Sequence, residues 1–117
     1  MSRNIQLYLQ DILTSCAKIQ RYTQDMDCEQ FITDERTFDA VARNLQIIGE
    51  AVKNLPDSVR AQSLTTEWRK IAGLRDILAH AYFSIQPEII WDIVATKILP
   101  LKTEVQRIME MVAKEQQ

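Results

Sequence analysis

The sequence predicts an all-α fold, an antiparallel up-and-down four-helix bundle with a short extra helix. Apolar residues recur at three- and four-residue steps through most of the chain, which is the spacing of one face of an amphipathic helix. The 117 residues include only 2 glycines and 3 prolines, too few for the regular turns of an all-β domain. This length is typical of one domain, so we expect a single helical domain over residues 1–117.

The first helix is predicted from an apolar stripe near the start of the chain. The stripe is interrupted by Gln, Asp and Lys, and its members are Ile5, Leu9, Ile12, Cys16 and Ile19. From Met26 to Thr33 this spacing is lost, so we expect a connection without regular structure there.

The second helix is predicted to begin at Thr33-Asp34-Glu35, because acidic residues favour a helix N-terminus. Its apolar seam contains Phe38, Val41, Leu45, Ile48, Val52 and Leu55, and Pro56-Asp57 ends it. Gly49 lies inside this seam, where a glycine costs on the order of 1 kcal/mol relative to alanine. We therefore expect another helix to approach closely at Gly49.

The remaining helices follow a short polar stretch, PDSVRAQ, which is expected to form one or two turns. Thr65 or Thr66 is expected to cap a third helix, which contains RDILAHAY and stops at Gln86-Pro87. Pro87 suits the first turn of a fourth helical block, and Pro100 is expected to kink or break that block.

Composition and charge exclude several classes of protein. The net charge of −2 gives no global basic field, so any nucleic-acid contact must come from a local patch or from one assembled across two subunits. Cys16, Cys28 and the single histidine form no metal-binding pattern, so we expect reduced thiols and neither metal nor cofactor. The start, MSRNIQLYLQD, lacks an apolar signal region, and no apolar run is long enough for a membrane span. A soluble cytoplasmic protein is expected.

The octet RDILAHAY contains the only histidine of the chain, His80. On one straight helix Arg75 and Tyr82 would share a face to within about 20°, while Arg75 and His80 would lie about 140° apart. Asp76 and His80, four residues apart, would share an adjacent face. A single helix does not aim both Arg75 and His80 at one point, but two copies related by a two-fold axis could supply them to one cleft.

A purely structural role for these residues is the competing interpretation. His80 could be a helix residue whose hydrogen bonding is satisfied by Asp76, Tyr82 could cap the core, and Arg75 could be a surface ion-pair partner. Composition and periodicity do not decide between the two.

Three longer stretches resemble the HepT family of HEPN-domain proteins, the toxins of HEPN–nucleotidyltransferase toxin–antitoxin pairs. They are AVARNLQIIGEAVKNLP, EWRKIAGLRDILAHAYFSI and IIWDIVATKILPLKTEV. The family hallmark is an arginine, four residues, a histidine, one residue and a tyrosine, which here falls on Arg75, His80 and Tyr82. The resemblance covers roughly two thirds of the chain, from about Asp39 onward.

The resemblance implies a homodimeric, metal-independent endoribonuclease whose motif helices line a shared cleft. For this reaction we expect His80 as general acid/base and Arg75 as phosphate clamp, because an imidazole can take either proton role at neutral pH and a guanidinium fork suits phosphate oxygens. Asp76 is expected to orient His80 or Arg75, and Tyr82 to contact RNA or support the site. The resemblance also implies a type II toxin–antitoxin partner, a nucleotidyltransferase-fold antitoxin, for which Tyr82 is the target of AMP transfer (O-AMP-tyrosine).

One departure from the family pattern leaves a second interpretation open. Asp76 stands where the family commonly has a polar residue, often Asn, and it adds negative charge where an RNA phosphate should approach. The alternative is a non-catalytic helical dimer that regulates a nucleotidyltransferase or binds nucleotide. Among secondary candidates, Glu50 is expected to hydrogen-bond across the bundle to the motif helix. Lys53, Arg60, Arg69 and Lys70 are expected to form either a basic rim for RNA or ordinary solvated surface.

Overall fold

The computed structural model describes residues 4–115, so the first three residues of the predicted N-terminal start lie outside it. The helices are α1 (Ile5–Tyr22), α2 (Cys28–Ile32), α3 (Glu35–Lys53), α4 (Asp57–Arg60), α5 (Trp68–His80), α6 (Pro87–Thr96) and α7 (Ile98–Glu115). A 3-10 turn covers Tyr82–Ser84, between α5 and α6. None of these helices combines the length and the apolar character needed to cross a membrane, as far as residues 4–115 are concerned.

The long helices form the predicted antiparallel bundle. α1 packs against α3 and α7, and α5 packs against α3. At one end Lys102, early in α7, donates a hydrogen bond of 3.0 Å to Gln20 near the end of α1. Tyr82, just after α5, contacts Asp39 near the start of α3. The predicted all-α fold is confirmed, and α4 is the predicted short extra helix.

The core lies between these helices and is built from the predicted apolar stripes. Its most deeply buried side chains include Leu9, Ile12, Ile19, Val41, Ile48, Val52, Leu78, Ile98, Val105 and Ile108. Burial of each such side chain contributes roughly 1.5–3 kcal/mol. Both cysteines are free, and burial raises the pKa of the Cys16 thiol to about 12, so this thiol stays protonated within the core.

The expected connection at 26–33 is wrong, because it contains α2. Asp27 caps this helix by accepting from the Gln30 backbone N–H at 2.8 Å, and Gln30 accepts from the Asp27 N–H at 2.9 Å. This reciprocal capping box is a local signal that apolar periodicity does not detect in a five-residue helix. The ring of Phe31 then anchors α2 in the core.

The expected threonine cap of the third helix is also wrong. α5 begins at Trp68 with Glu67 at the N-cap position, and no side chain caps it. The hydroxyl of Thr66 instead forms a 2.6 Å hydrogen bond with the Ser63 hydroxyl. The Trp68 indole N–H donates to the Arg60 carbonyl at 2.9 Å, so the tryptophan fixes the preceding loop against the helix.

The third helix ends earlier than predicted, which removes Tyr82 from it. α5 stops at His80, and Ala81 leaves the helical region with φ −128° and ψ 30°. The Tyr82 hydroxyl donates to Asp39 and its ring lies 5.6 Å from that of Phe38. These contacts with α3 replace a further helical turn, so the face that Arg75 and Tyr82 were expected to share does not form.

Both prolines of the last helical block act as predicted. Pro87 occupies the first turn of α6, where its missing N–H costs no helical hydrogen bond. The block breaks at Lys97, which caps α6, because Pro100 cannot donate to the carbonyl four residues before it. α6 is therefore a separate helix, which packs on both α2 and α7.

The close helix approach predicted at Gly49 is confirmed. A methyl group on Gly49 would lie 2.6 Å from the Cβ of Arg75 and 3.0 Å from the carbonyl oxygen of Ile71. Both atoms belong to α5, so α3 and α5 touch through backbone at this point. By contrast, a methyl group on Gly73 would meet nothing within 4 Å.

Alanine substitution should therefore have opposite effects at the two glycines. We expect Gly49→Ala to lower the free energy of unfolding by about 1–3 kcal/mol, because α5 must move away from α3. Gly73→Ala should raise it by up to about 1 kcal/mol through helix propensity alone. Urea unfolding followed by circular dichroism measures both, and an equal gain in the two variants would contradict the close contact.

Candidate active site

Arg75 emerges beside the contact between α3 and α5. Its Cβ faces Gly49, and the residue after Gly49 supplies the first partner of its guanidinium. The Nε of Arg75 lies 3.1 Å from an oxygen of Glu50, as expected for a bond across the bundle. The Arg75 side chain is 37% exposed, so one side of it remains open to solvent.

Asp76 holds the second edge of the same guanidinium. Its Oδ1 lies 3.0 Å from the Nη1 of Arg75 and 3.7 Å from the Nζ of Lys53. The hydrogen bond from Arg75, followed by the charge of Lys53, lowers the pKa of the Asp76 carboxyl below its ordinary value. Asp76 is therefore ionised at neutral pH, and its charge is shared between two cations. Of the two partners expected for Asp76, the structure shows the bond to Arg75.

His80 is the last residue of α5 and is exposed. Within residues 4–115 its imidazole has no hydrogen-bond partner, although Asp76 feels its charge. Nor does any hydrogen bond in that range join His80 to Arg75, which stands about 140° away around α5. The interpretation of His80 as a residue satisfied by Asp76 does not fit this geometry. The imidazole is available to exchange protons with a ligand.

Tyr82 lies on the 3-10 turn that follows α5. Its ring packs between Phe38 and Phe83, with centroid distances of 5.6 Å and 5.4 Å, and its hydroxyl donates to Asp39. Partial burial and the Asp39 carboxylate raise the pKa of Tyr82 to about 12. Tyr82 is therefore a neutral phenol at physiological pH, held by α3.

An open cleft of about 260 Å³ between α1, α3 and α5 adjoins Arg75. Its polar walls include Asp11 of α1, Arg43, Gln46 and Glu50 of α3, and Arg75. Arginine and amide side chains of this kind bind phosphate oxygens and the edges of nucleobases. The cleft could accept the part of a polynucleotide that flanks a phosphate at Arg75.

Sequence reasoning missed one polar residue of this region, Asp39, and the ion pair of another, Lys53. Lys53 was expected either in a basic rim or as solvated surface, and its Nζ lies 3.7 Å from Asp76. Asp39 was not singled out, because a lone aspartate in the second turn of a helix has no distinctive pattern. Asp39 can be placed only from the antiparallel register of α3 and α5. Because Gly49 lies opposite Arg75, the start of α3, with Asp39, lies near the end of α5.

Comparison with known proteins identifies the family. Residues 12–108 match the family described as ribonuclease HepT-like. A protein of Methanocaldococcus jannaschii named as a candidate RNase is 44% identical over 96 residues, covering 82% of this chain and 79% of the relative. The "Probable ribonuclease HepT" of Thermococcus cleftensis is 36% identical over 108 residues, covering 92% and 98% of the two chains.

Other relatives agree with this assignment. A candidate RNase of Caldanaerobacter subterraneus is 38% identical over 103 residues, which cover 88% of this chain and 92% of the relative. No solved structure gives a significant match. The chain belongs to the HepT-like ribonuclease family.

Proposed function

We propose that this protein cleaves RNA by attack of a ribose 2′-hydroxyl on the adjacent phosphate, with His80 and Arg75 as its catalytic residues. The observation that carries the proposal is the pairing of an oriented, half-open guanidinium with an exposed, unbonded imidazole on one helix. The family assignment supports the same chemistry.

His80 is assigned the proton transfers. In the reaction the bond from the 2′-oxygen to phosphorus forms while the bond from phosphorus to the 5′-oxygen breaks. The His80 imidazole accepts the 2′-hydroxyl proton or delivers a proton to the leaving 5′-oxygen, and a water molecule makes the other transfer. With an ordinary pKa near 6.5 an imidazole serves either role at neutral pH, and such catalysis typically contributes about 10²–10⁴-fold.

Arg75 is assigned the stabilisation of the phosphate charge. Its Nε and Nη1 are oriented by Glu50 and Asp76, and the planar guanidinium fork suits phosphate oxygens. The two carboxylates face two cations, Arg75 and Lys53, so the negative charge of Asp76 is locally offset. Because its charge is offset, Asp76 is compatible with activity, although the family commonly has a polar residue such as Asn at this position. The mechanism assigns every step to protein side chains and requires no metal ion.

A homodimer is the second part of the proposal. α6 is apolar and α5 carries an apolar stripe, yet each helix buries only one residue fully, Ile90 and Leu78. Beside them lies an apolar groove of about 360 Å³ between α5, α6 and α7, which includes Ile71, Leu74 and Ile93. Ile77 is 51% exposed and Ile89 is 55% exposed. A second copy seated on this face would cover these side chains. The proposed dimer also pairs Arg75 of one subunit with His80 of the partner subunit, since a single helix does not aim both side chains at one point.

The third part concerns regulation. We propose that the protein is the toxin of a type II toxin–antitoxin pair, and that its antitoxin, of the nucleotidyltransferase fold, transfers AMP from ATP to the Tyr82 hydroxyl oxygen with release of pyrophosphate. The adenylyl group would remove the hydrogen that Tyr82 donates to Asp39 and would place a phosphodiester charge near Asp39 and Glu35. Charge repulsion would then drive the turn away from α3 and disturb the site.

Single substitutions should separate the catalytic roles from folding. We expect Arg75→Ala and His80→Ala each to lower the rate of RNA cleavage by at least about 10²-fold, with EDTA present throughout. Lys114→Ala, on the exposed last turn of α7, is the matched control and should cleave at the wild-type rate. Gel analysis of a defined RNA, with circular dichroism of each variant, is the measurement. A wild-type protein that cuts no RNA would favour the non-catalytic alternative.

Intact-mass spectrometry tests the role of Tyr82. After co-expression with the nucleotidyltransferase, wild-type protein should gain the mass of one adenylyl group and Tyr82→Phe should gain none. Tyr22→Phe, which alters a tyrosine at the end of α1, should be modified as wild type is. An unmodified wild-type chain in a neutralised complex would show that the antitoxin acts by occlusion.

A further inference from the structure

We propose that Asp39 is a positioning residue of the candidate active site: by accepting the hydrogen bond of the Tyr82 hydroxyl, it fixes the end of α5 at which His80 lies. The catalytic consequence rests on the proposed ribonuclease function, whereas the structural link between Asp39 and the end of α5 does not.

His80 depends on its backbone for its position. Among residues 4–115 the imidazole has no hydrogen-bond partner, and the helix ends at His80 itself. The last fully buried anchor of α5 is Leu78, and the chain leaves the helical region at Ala81. The next residue with contacts to another element is Tyr82. His80 is thus held from two sides, by Leu78 before it and by Tyr82 after it.

Tyr82 is held in turn by two neighbouring residues of α3. Its ring centroid lies 5.6 Å from that of Phe38, and the Phe38 centroid lies 6.0 Å from that of the buried Phe31 ring. Its hydroxyl donates to Asp39, across 43 positions of the chain. The contact between the Tyr82 and Phe38 rings limits how closely the turn approaches α3, but it allows the two rings to slide past each other. The hydrogen bond to Asp39 fixes the orientation of the Tyr82 side chain.

Asp39 is suited to this role because nothing else in the described part of the chain uses it. Its carboxylate is exposed and makes no other hydrogen bond or ion pair between residues 4 and 115. It therefore contributes little to the core, and its removal should leave the bundle folded. Glu35, one turn earlier on the same helix, adds charge near Tyr82 without a hydrogen bond to it. Glu35→Ala is therefore a matched control.

The bond is stable across the physiological pH range. Burial and Asp39 raise the pKa of Tyr82 to about 12, so the phenol keeps its proton and remains a donor below that pH. Because the negative charge of Asp39 disfavours the phenolate, loss of Asp39 should lower the pKa of Tyr82 toward its ordinary value.

A double-mutant cycle on RNA cleavage tests the catalytic consequence. Asp39→Ala and Tyr82→Phe should each lower kcat about tenfold, with KM changed by less than about twofold. The double variant should also lose about tenfold, because both substitutions remove one bond. Glu35→Ala should stay within about twofold of wild type. An unchanged kcat in Asp39→Ala, or a loss of about a hundredfold in the double variant, would overturn the proposal.

Hydrogen exchange tests the structural link without RNA. The Ala81 N–H donates to the Ile77 carbonyl at 2.7 Å, at the end of α5. In Asp39→Ala we expect this amide to exchange about tenfold faster, with the exchange of α1 unchanged. Asp39→Asn keeps a neutral hydrogen-bond acceptor, so its Ala81 amide should exchange at a rate between those of wild type and Asp39→Ala. This variant replaces Asp39→Ala in the test if the alanine variant does not fold. Unchanged exchange in these variants would overturn the proposal even if RNA is cleaved. Faster exchange in a protein that cleaves no RNA would uphold the structural link and refute only the proposed function.

Discussion

The backbone contact between α3 and α5 at Gly49 is the constraint on which the candidate site depends. Since glycine has no side chain, the α5 backbone can lie directly on α3, with the Cβ of Arg75 at the point of contact. The next residue of α3, Glu50, then reaches the Arg75 guanidinium. The residue that permits the helix contact, Gly49, and the residue that binds the guanidinium, Glu50, are therefore adjacent in the sequence. A larger residue at 49 would displace both the helix and the ion pair.

The charges around Arg75 are compatible with the proposed phosphate site in an acidic chain. Glu50 and Asp76 orient the arginine, and Lys53 shares the charge of Asp76. Exposed ion pairs of this kind are individually weak, so an RNA phosphate can compete for the arginine without a large energetic cost.

Helical periodicity predicted the bundle because each long helix buries a continuous stripe, and a buried stripe leaves a regular pattern in the sequence. The glycine inside such a stripe predicted the α3–α5 contact for the same reason, and Glu50 was expected to reach the motif helix. The end of α5 could not be predicted this way. Tyr82 leaves the helix because Asp39 and Phe38, far away in sequence, hold it, and such tertiary contacts have no local pattern. α2 was missed because five residues are too few for periodicity to show, although its capping box was present.

Subunit mixing tests the central claim, a site that pairs Arg75 of one subunit with His80 of the partner subunit. Arg75→Ala and His80→Ala chains with different affinity tags are co-expressed, and the heterodimer is isolated through both tags. Each variant homodimer should be inactive. In the heterodimer one site carries both substitutions and the other is intact, so the account predicts about half of the wild-type RNA cleavage rate. A heterodimer as inactive as its parent homodimers would contradict it.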